Sequence, residues 1–524
     1  MTWLHTWFGL VVCWLLYFMF ITGSAGYFDE EIDAWMKPEQ LPQQHSSFAD
    51  AIAAGQAYLQ KSGLEPEFWT MIPPYERDMR HLRLFWTMPK DDEGNSERGS
   101  EDIDVVTAEA IEEVTRDTGG GQFLYRMHYV YHYIPQAITY PLLAGIVTMM
   151  MFVGLISGII VHKKIFKDFF TFRAFKGKRS WLDMHNLLSV ATLPFQLMIT
   201  YSGLVFVMLT FMGLIAVGSY GFDIERGTKD FNQAFGQIQS ETAGEPAKLT
   251  SLAPLIQFVQ QEWGDDVRSV AVRHSGDANA LIVFNERTTG GVPRDRYIFD
   301  GVTGEDVTDT FVNQAAAPQA LRIAMFNLHE GLFAGTLLRW LYFLSGLLGA
   351  AMIATGAIYW TEKRRKKSDV DHGRGFRLVE NLNIGTIVGL PIGIAVYFLA
   401  NRLLPLDFAG RAEWEAHSLF ITWAVLVIYP MFRTRHQAWK EQCLIAAVTY
   451  AAIPIVNALT TDVGLSTTLS NGDWVRAGFD LTMVAIAAGF AVTAVILHRL
   501  GSKPGDAVTG SATRSVQNTE PEAV

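Results

Sequence analysis

Eight stretches of this 524-residue chain are long and apolar enough to cross a lipid bilayer, and no other feature narrows its fold so far. They fall at roughly 4–26, 138–161, 187–218, 332–360, 382–404, 416–432, 442–460 and 478–499, each near the ~20 residues that a helical span needs. The composition agrees, with 49% hydrophobic and only 18% charged residues, against about 25% charged in an average soluble protein. A soluble enzyme and a disordered chain are both excluded. Gly23-Ser24-Ala25 offers small residues for signal cleavage, but no Lys or Arg precedes the first apolar run and that run exceeds a usual signal core. It is read as a retained helix.

Short loops rich in Lys and Arg mark the cytoplasmic side. Residues 163–180 carry seven basic residues and one acidic, Lys363 to Lys367 follow the fourth span, and Arg433, Arg435 and Lys440 separate the sixth from the seventh. All agree in phase, which predicts both termini in the cytoplasm. The connections 28–126, with 21 Asp+Glu against 9 Lys+Arg, and 222–325, with short alternating runs between Gly, Asp and Asn turns, then lie outside as small domains. The tail 501–524 is polar and reads as disordered. A net charge of −11 without a basic groove argues against nucleic acid. The two cysteines, Cys13 and Cys443, sit in apolar runs, so no disulfide framework, zinc cluster or covalent haem motif is present. Gly119-Gly120-Gly121 lacks the context of a dinucleotide site and reads as a hinge into the second span.

The first 365 residues contain a duplication. Each half reads helix, external domain, helix, basic loop. Leu4-His5-Thr6-Trp7 answers to Met184-His185-Asn186-Leu187, and Tyr125-Arg126-Met127-His128 to Phe326-Asn327-Leu328-His329. The third span is longer than a straight helix requires and holds Pro194, a predicted kink. A parallel repeat implies a pseudo-two-fold axis along the membrane normal, with equivalent residues facing each other across it.

Thirteen histidines are present, and those near span ends form two layers: His5, His162 and His185 at cytoplasmic ends, and His128, His132 and His329 at external ends. The repeat pairs His5 with His185 and His128 with His329, the arrangement that two bis-histidine haems require of a four-helix core. His162 and His132 are alternates, His132 as a contact to a haem propionate or substrate. Gly9, Gly145, Gly331, Gly335, Gly346 and Gly349 would let helices accept a flat macrocycle. A lone interfacial histidine is more often hydrogen-bonded than ligating; the repeat is what lifts these four above that reading. Zinc on the same residues lacks a Cys or H-E-x-x-H pattern. Tyr125, Tyr129, Tyr131, Tyr133 and Tyr140 read as an interfacial aromatic belt.

The segments Gly119 to Pro135 (GGGQFLYRMHYVYHYIP), Trp181 to Val190 (WLDMHNLLSV) and Leu328 to Lys367 resemble the PepSY-associated transmembrane helix family, iron-regulated inner-membrane proteins of Gram-negative bacteria, some of them ferrisiderophore reductases. The external domains resemble PepSY modules. Asp300-Gly301-Val302-Thr303-Gly304-Glu305 is similar to that module's closing D-x-x-T-G-E pattern, whereas Asp104-Val105-Val106-Thr107-Ala108-Glu109 has Ala for Gly. The resemblance covers about residues 1–367 and leaves the last four spans aside.

The expected fold is therefore a polytopic α-helical membrane protein of about eight transmembrane helices with two small α+β PepSY-like extracytoplasmic domains. Its layout is a first span to 27, external domain 28–126, span 127–162, basic loop 163–184, span 185–221, external domain 222–325, span 326–361, basic loop 362–381, a four-helix bundle 382–500, and the tail. The resemblance implies an oxidoreductase of the inner membrane with two b haems, on His5 and His185 and on His128 and His329. Electrons would pass from a cytoplasmic or quinol donor to a periplasmic ferric siderophore or other Fe(III) chelate. The rivals are a non-enzymatic membrane regulator and an assembly protein. A transporter is the weakest reading, because the spans are almost free of internal charge.

Overall fold

The computed structural model describes residues 1–39, 46–74, 81–91, 95–111, 116–162, 172–173, 176–208, 218–221, 223–234, 238, 240–287, 296–311, 317–365 and 373–501. Most of the basic segment 163–180, residues 366 and 367, and nearly all of the tail lie outside them. Among the described residues, seven helical segments are long and apolar enough to span a membrane: Thr2–Met36, Gln136–Val161, Thr336–Arg364, Arg374–Leu403, Arg411–Phe432, Arg435–Thr460 and Trp474–Leu500. A bent pair supplies the eighth. This is a multi-pass membrane protein.

Helix α1 (Thr2–Ala25) is the hub, continued by the short α2 (Asp29–Met36). It buries Leu10, Cys13, Leu16, Tyr17 and Phe18 in the main core. Small residues on α10 (Thr336–Arg364; the elements between are given below) let it approach closely: a Cβ at Gly346 would strike the Ser24 hydroxyl, and one at Gly349 would lie 2.7 Å from Phe20. Helix α4 (Gly120–Met127) leads toward α5 (Ala144–Val161). The triple glycine at its start is no hinge. Gly121 donates its N–H to Asp33 at 2.6 Å, and a Cβ at Gly120 or Gly121 would collide with Asp33 or with the backbone of Asp29. Only glycine lets α4 seat on α2.

The third span is α6 (Lys178–Ala191) and α7 (Leu193–Phe206), which meet at 68° across Thr192. Pro194 has no N–H to continue the ladder of α6, yet in the first turn of α7 it removes no hydrogen bond. The Thr192 hydroxyl caps the break by donating to Leu188 O at 2.8 Å. The predicted kink is thus a full break.

Both long connections contribute to one antiparallel sheet. From the first come α3 (Phe48–Ser62), β1 (Phe68–Ile72), β2 (Leu82–Thr87) and β3 (Arg98–Ile103). From the second come α8 (Leu252–Trp263), β4 (Val267–Arg273), β5 (Leu281–Glu286) and β6 (Arg296–Asp300), followed by α9 (Ala317–Glu330). The order is β3-β2-β1-β4-β5-β6, with Trp69 opposite Val272 and Met71 opposite Val270 at the seam. Helices α3 and α8 share one core with the sheet, built on Ile52, Met71, Leu84, Val259, Val270 and Phe284. The sequence reads as two separate modules; their edge strands β1 and β4 pair, so neither leaves that edge open.

The remaining spans are α11 (Arg374–Ile387) with α12 (Gly389–Leu403), then α13 (Arg411–Ile428), α14 (Arg435–Thr460) and α15 (Trp474–Gly501). They pack directly on the hub. Trp14 donates to Asn383 at 3.0 Å, Tyr17 to Ile387 O at 2.9 Å, and Trp35 to Asp480 at 2.9 Å. Arg402, Arg411, Glu415 and Asp480 are buried here, more charge than the sequence reading allowed. Each is paired: Arg411 and Glu415 are 2.5 Å apart, and Arg402 stacks 3.8 Å above Trp35 while donating to Asn457.

Candidate functional site

Two cavities lie in the bundle formed by α1, α5, α6, α7 and α10. The one toward the sheet has a volume of about 430 Å³ and holds His128 and His329; the one toward the basic loops, of about 360 Å³, holds His5 and His185. Both volumes fall in the range of organic ligand sites. Leu16 and Met151 line both cavities, so single side chains form the wall between them.

The folding of the repeat puts the histidines face to face. The ring centres of His5 and His185 are 6.3 Å apart, and so are those of His128 and His329, with interplanar angles of 60° and 25°. Two imidazoles that share a metal through nitrogens about 2 Å from it on opposite sides have ring centres roughly 6 Å apart.

In all four rings Nδ1 is engaged. His5 Nδ1 lies 2.9 Å from Gly154 O, His185 Nδ1 2.8 Å from Met352 O, and His329 Nδ1 2.9 Å from the Ser202 hydroxyl, which donates onward to Met198 O. His128 Nδ1 contacts Tyr125 O. An Nδ1–H held by a carbonyl or hydroxyl fixes the tautomer and leaves the Nε2 lone pair for a ligand, the usual support of a metal-binding histidine. Burial pushes the His128 imidazole down to about 4. It pushes that of His329 down to about 3, with His128 adding to the effect, so both are neutral at pH 7, as ligation requires.

Glycines back the rings. A Cβ at Gly158 would lie 3.2 Å from His5, one at Gly356 3.0 Å from His185, one at Gly203 3.3 Å from His329 and one at Gly23 3.5 Å from His128. Of the glycines chosen from the sequence, Gly9 and Gly346 line cavities; Gly145, Gly331, Gly335 and Gly349 do not. Tyr125, Tyr129 and Tyr140 of the expected aromatic belt line the sheet-side cavity, whereas Tyr131 and Tyr133 do not.

His162 follows α5 and lines the basic-side cavity beside Lys363 and Arg364. Trp360 lines it too, with a buried indole N–H that has no acceptor among the described residues. His132 lines neither cavity. The helix that would carry it ends at Met127, and its ring stacks on Phe420 of α13 with Glu413 at 3.3 Å.

Paired imidazoles at metal-sharing distance, Nδ1 anchors, glycine-backed rings and, on one side, the cations and the indole N–H of Trp360 suit a haem in each cavity. The same span of chain decides the family, because residues 2–363 match the PepSY-associated TM region. The chain belongs to that family. The PepSY-associated TM region thus contains all four histidines, both cavities and the sheet, and stops at the end of α10. No curated protein matches the chain.

Proposed function

We propose that the protein carries electrons across the bacterial inner membrane through two bis-histidine b haems, one on His5 and His185 and one on His128 and His329. It reduces a ferric siderophore or another Fe(III) chelate on the sheet side. The observation that carries this reading is the pair of 6.3 Å ring separations in two cavities with a common wall. Bound haem would supply reversible one-electron transfer.

The chain itself does the rest. Gly154, Met352, Tyr125 and Ser202 hold the imidazoles in the ligating tautomer. Mostly apolar walls keep water out, and Leu16 and Met151 hold the gap between the sites to a side-chain thickness. Lys363 and Arg364 offer cations to carboxylates at the basic mouth. By the positive-inside rule that end faces the cytoplasm, with both termini, and the sheet faces the periplasm. A bilayer core about 30 Å thick bars a charged reductant, and two sites in series shorten each transfer. No flavin or nicotinamide motif occurs in the sequence, so the donor is a separate reductase or a quinol. Reduction to Fe(II) weakens the hold of hard oxygen ligands and releases the iron.

The test is the dithionite-reduced minus air-oxidised spectrum of the detergent-purified protein, with pyridine haemochrome quantification. A low-spin b-type spectrum near two haems per chain is expected, and His185→Ala and His329→Ala should each remove about half. Colourless protein from cells well supplied with haem would overturn the reading and leave a membrane regulator or assembly protein in front.

A further inference from the structure

His132, displaced from the cavities, has a different set of neighbours. One ligand atom each from His132, Glu413 and His417 lies within 4.8 Å of the other two. His132 comes from the link between α4 and α5, and Glu413 and His417 sit four residues apart on the first turns of α13, hence on one face. We propose that these three residues bind a divalent first-row transition cation on the sheet side of the membrane.

Several features favour a built site over a chance meeting. The rings are held from behind: His132 stacks on Phe420, with 5.7 Å between ring centres and 7° between planes, and packs edge-on against Phe123. His417 stacks on Tyr133, and the Tyr133 hydroxyl lies 2.9 Å from its Nδ1, the kind of contact that orients a ligating imidazole. The carboxylate is the exposed member, with 65% of its side chain open to solvent, against 18% for His132. An ion can therefore enter from the aqueous side without disturbing the helices. Two imidazoles and one carboxylate with open positions form the donor set of ferrous and related sites, too hard for Cu(I) and too rich in nitrogen for Ca²⁺ or Mg²⁺. His132 is four residues along the chain from His128, on the side where iron reduced as proposed above would be released. The metal site stands on its own geometry; its assignment to ferrous iron rests on that reading.

Full-length protein in detergent, dialysed anaerobically against Fe²⁺ and separately against Zn²⁺, is analysed by mass spectrometry for bound metal beyond haem iron, with haem measured on the same samples. Wild type should bind one Fe²⁺ per chain that His417→Ala and Glu413→Gln lose, at unchanged haem content and elution volume. Equal metal in wild type and both variants with either ion overturns the site. Zn²⁺ bound without Fe²⁺ overturns the ferrous assignment. Haem-free protein that still takes up the cation supports the site while sinking the electron-transfer reading.

Discussion

In each of the four paired histidines a protein group holds Nδ1 and the ring lines a cavity. The supports keep the pseudo-symmetry of the chain: Gly154 O and Met352 O hold His5 and His185, and Gly158 and Gly356 back the same rings. A methyl at Gly356 would lie 3.0 Å from the His185 ring, so the ring must give by a few tenths of an ångström for alanine and further for a branched side chain. Gly356→Val should therefore abolish haem at the basic side, and Gly203→Val at the sheet side, each leaving about half the haemochrome absorbance; full haem in both would break the link between glycine and ring position. A second residue-scale prediction concerns the paired turns of the sheet domain. Asp104 accepts from the amides of Val106 and Thr107 as Asp300 does from those of Val302 and Thr303, and Ala108 occupies the left-handed position (φ 53°) that Gly304 fills in the other copy (φ 76°). A Cβ there costs roughly 1–2 kcal/mol, part of which the greater freedom of unfolded glycine cancels. Ala108→Gly should stabilise the protein by about 1 kcal/mol, read as a rise in unfolding temperature of the sheet domain.

At the scale of elements, the membrane helices meet through small residues and a few saturated polar groups. The Arg411–Glu415 pair is wholly buried at the start of α13, and Glu415 also accepts from Thr118 at 2.5 Å and Asn401 at 2.9 Å, so α12, α13 and the approach to α4 are tied in one network. Removing the cation alone strands a carboxylate without water, a loss of about 3–5 kcal/mol, whereas removing both charges avoids it. Arg411→Met should lower thermal stability in detergent far more than Arg411→Met combined with Glu415→Leu. Equal losses would show that the network contributes by packing and not by charge. Hydropathy alone located these helices but not this network, because Arg411 and Glu415 precede the apolar run and only folding turns them inward.

For the whole molecule, the last four spans raise the main question, since the family match ends at 363 while the contacts do not. Trp35 and Met36 of α2 are fully buried, Trp35 against Phe479 and Asp480, and Arg476 donates to Ala34 O at 2.9 Å. A chain ending before Arg374 would expose these groups together with the faces of Trp14 and Tyr17 that meet α11. It should fail to accumulate as a monodisperse species in detergent; a stable truncated protein with both haems would make the bundle a separable module.

The spans and the histidine pairs could be read from the sequence because each rests on a local signal, a run of apolar residues or a motif repeated at a fixed offset. Gly23 and Gly203 keep the same 180-residue offset as His5 and His185 and were readable in principle, while Gly158 and Gly356, 198 apart, fall off the 201-residue offset of His128 and His329. The joining of two modules through β1 and β4, the tight seat of the triple glycine on α2, and the capture of His132 by α13 were decided only by the tertiary structure. Each depends on groups far apart in the chain, up to 285 residues between His132 and His417, whose meeting is set by how whole helices pack and not by any spacing along the sequence.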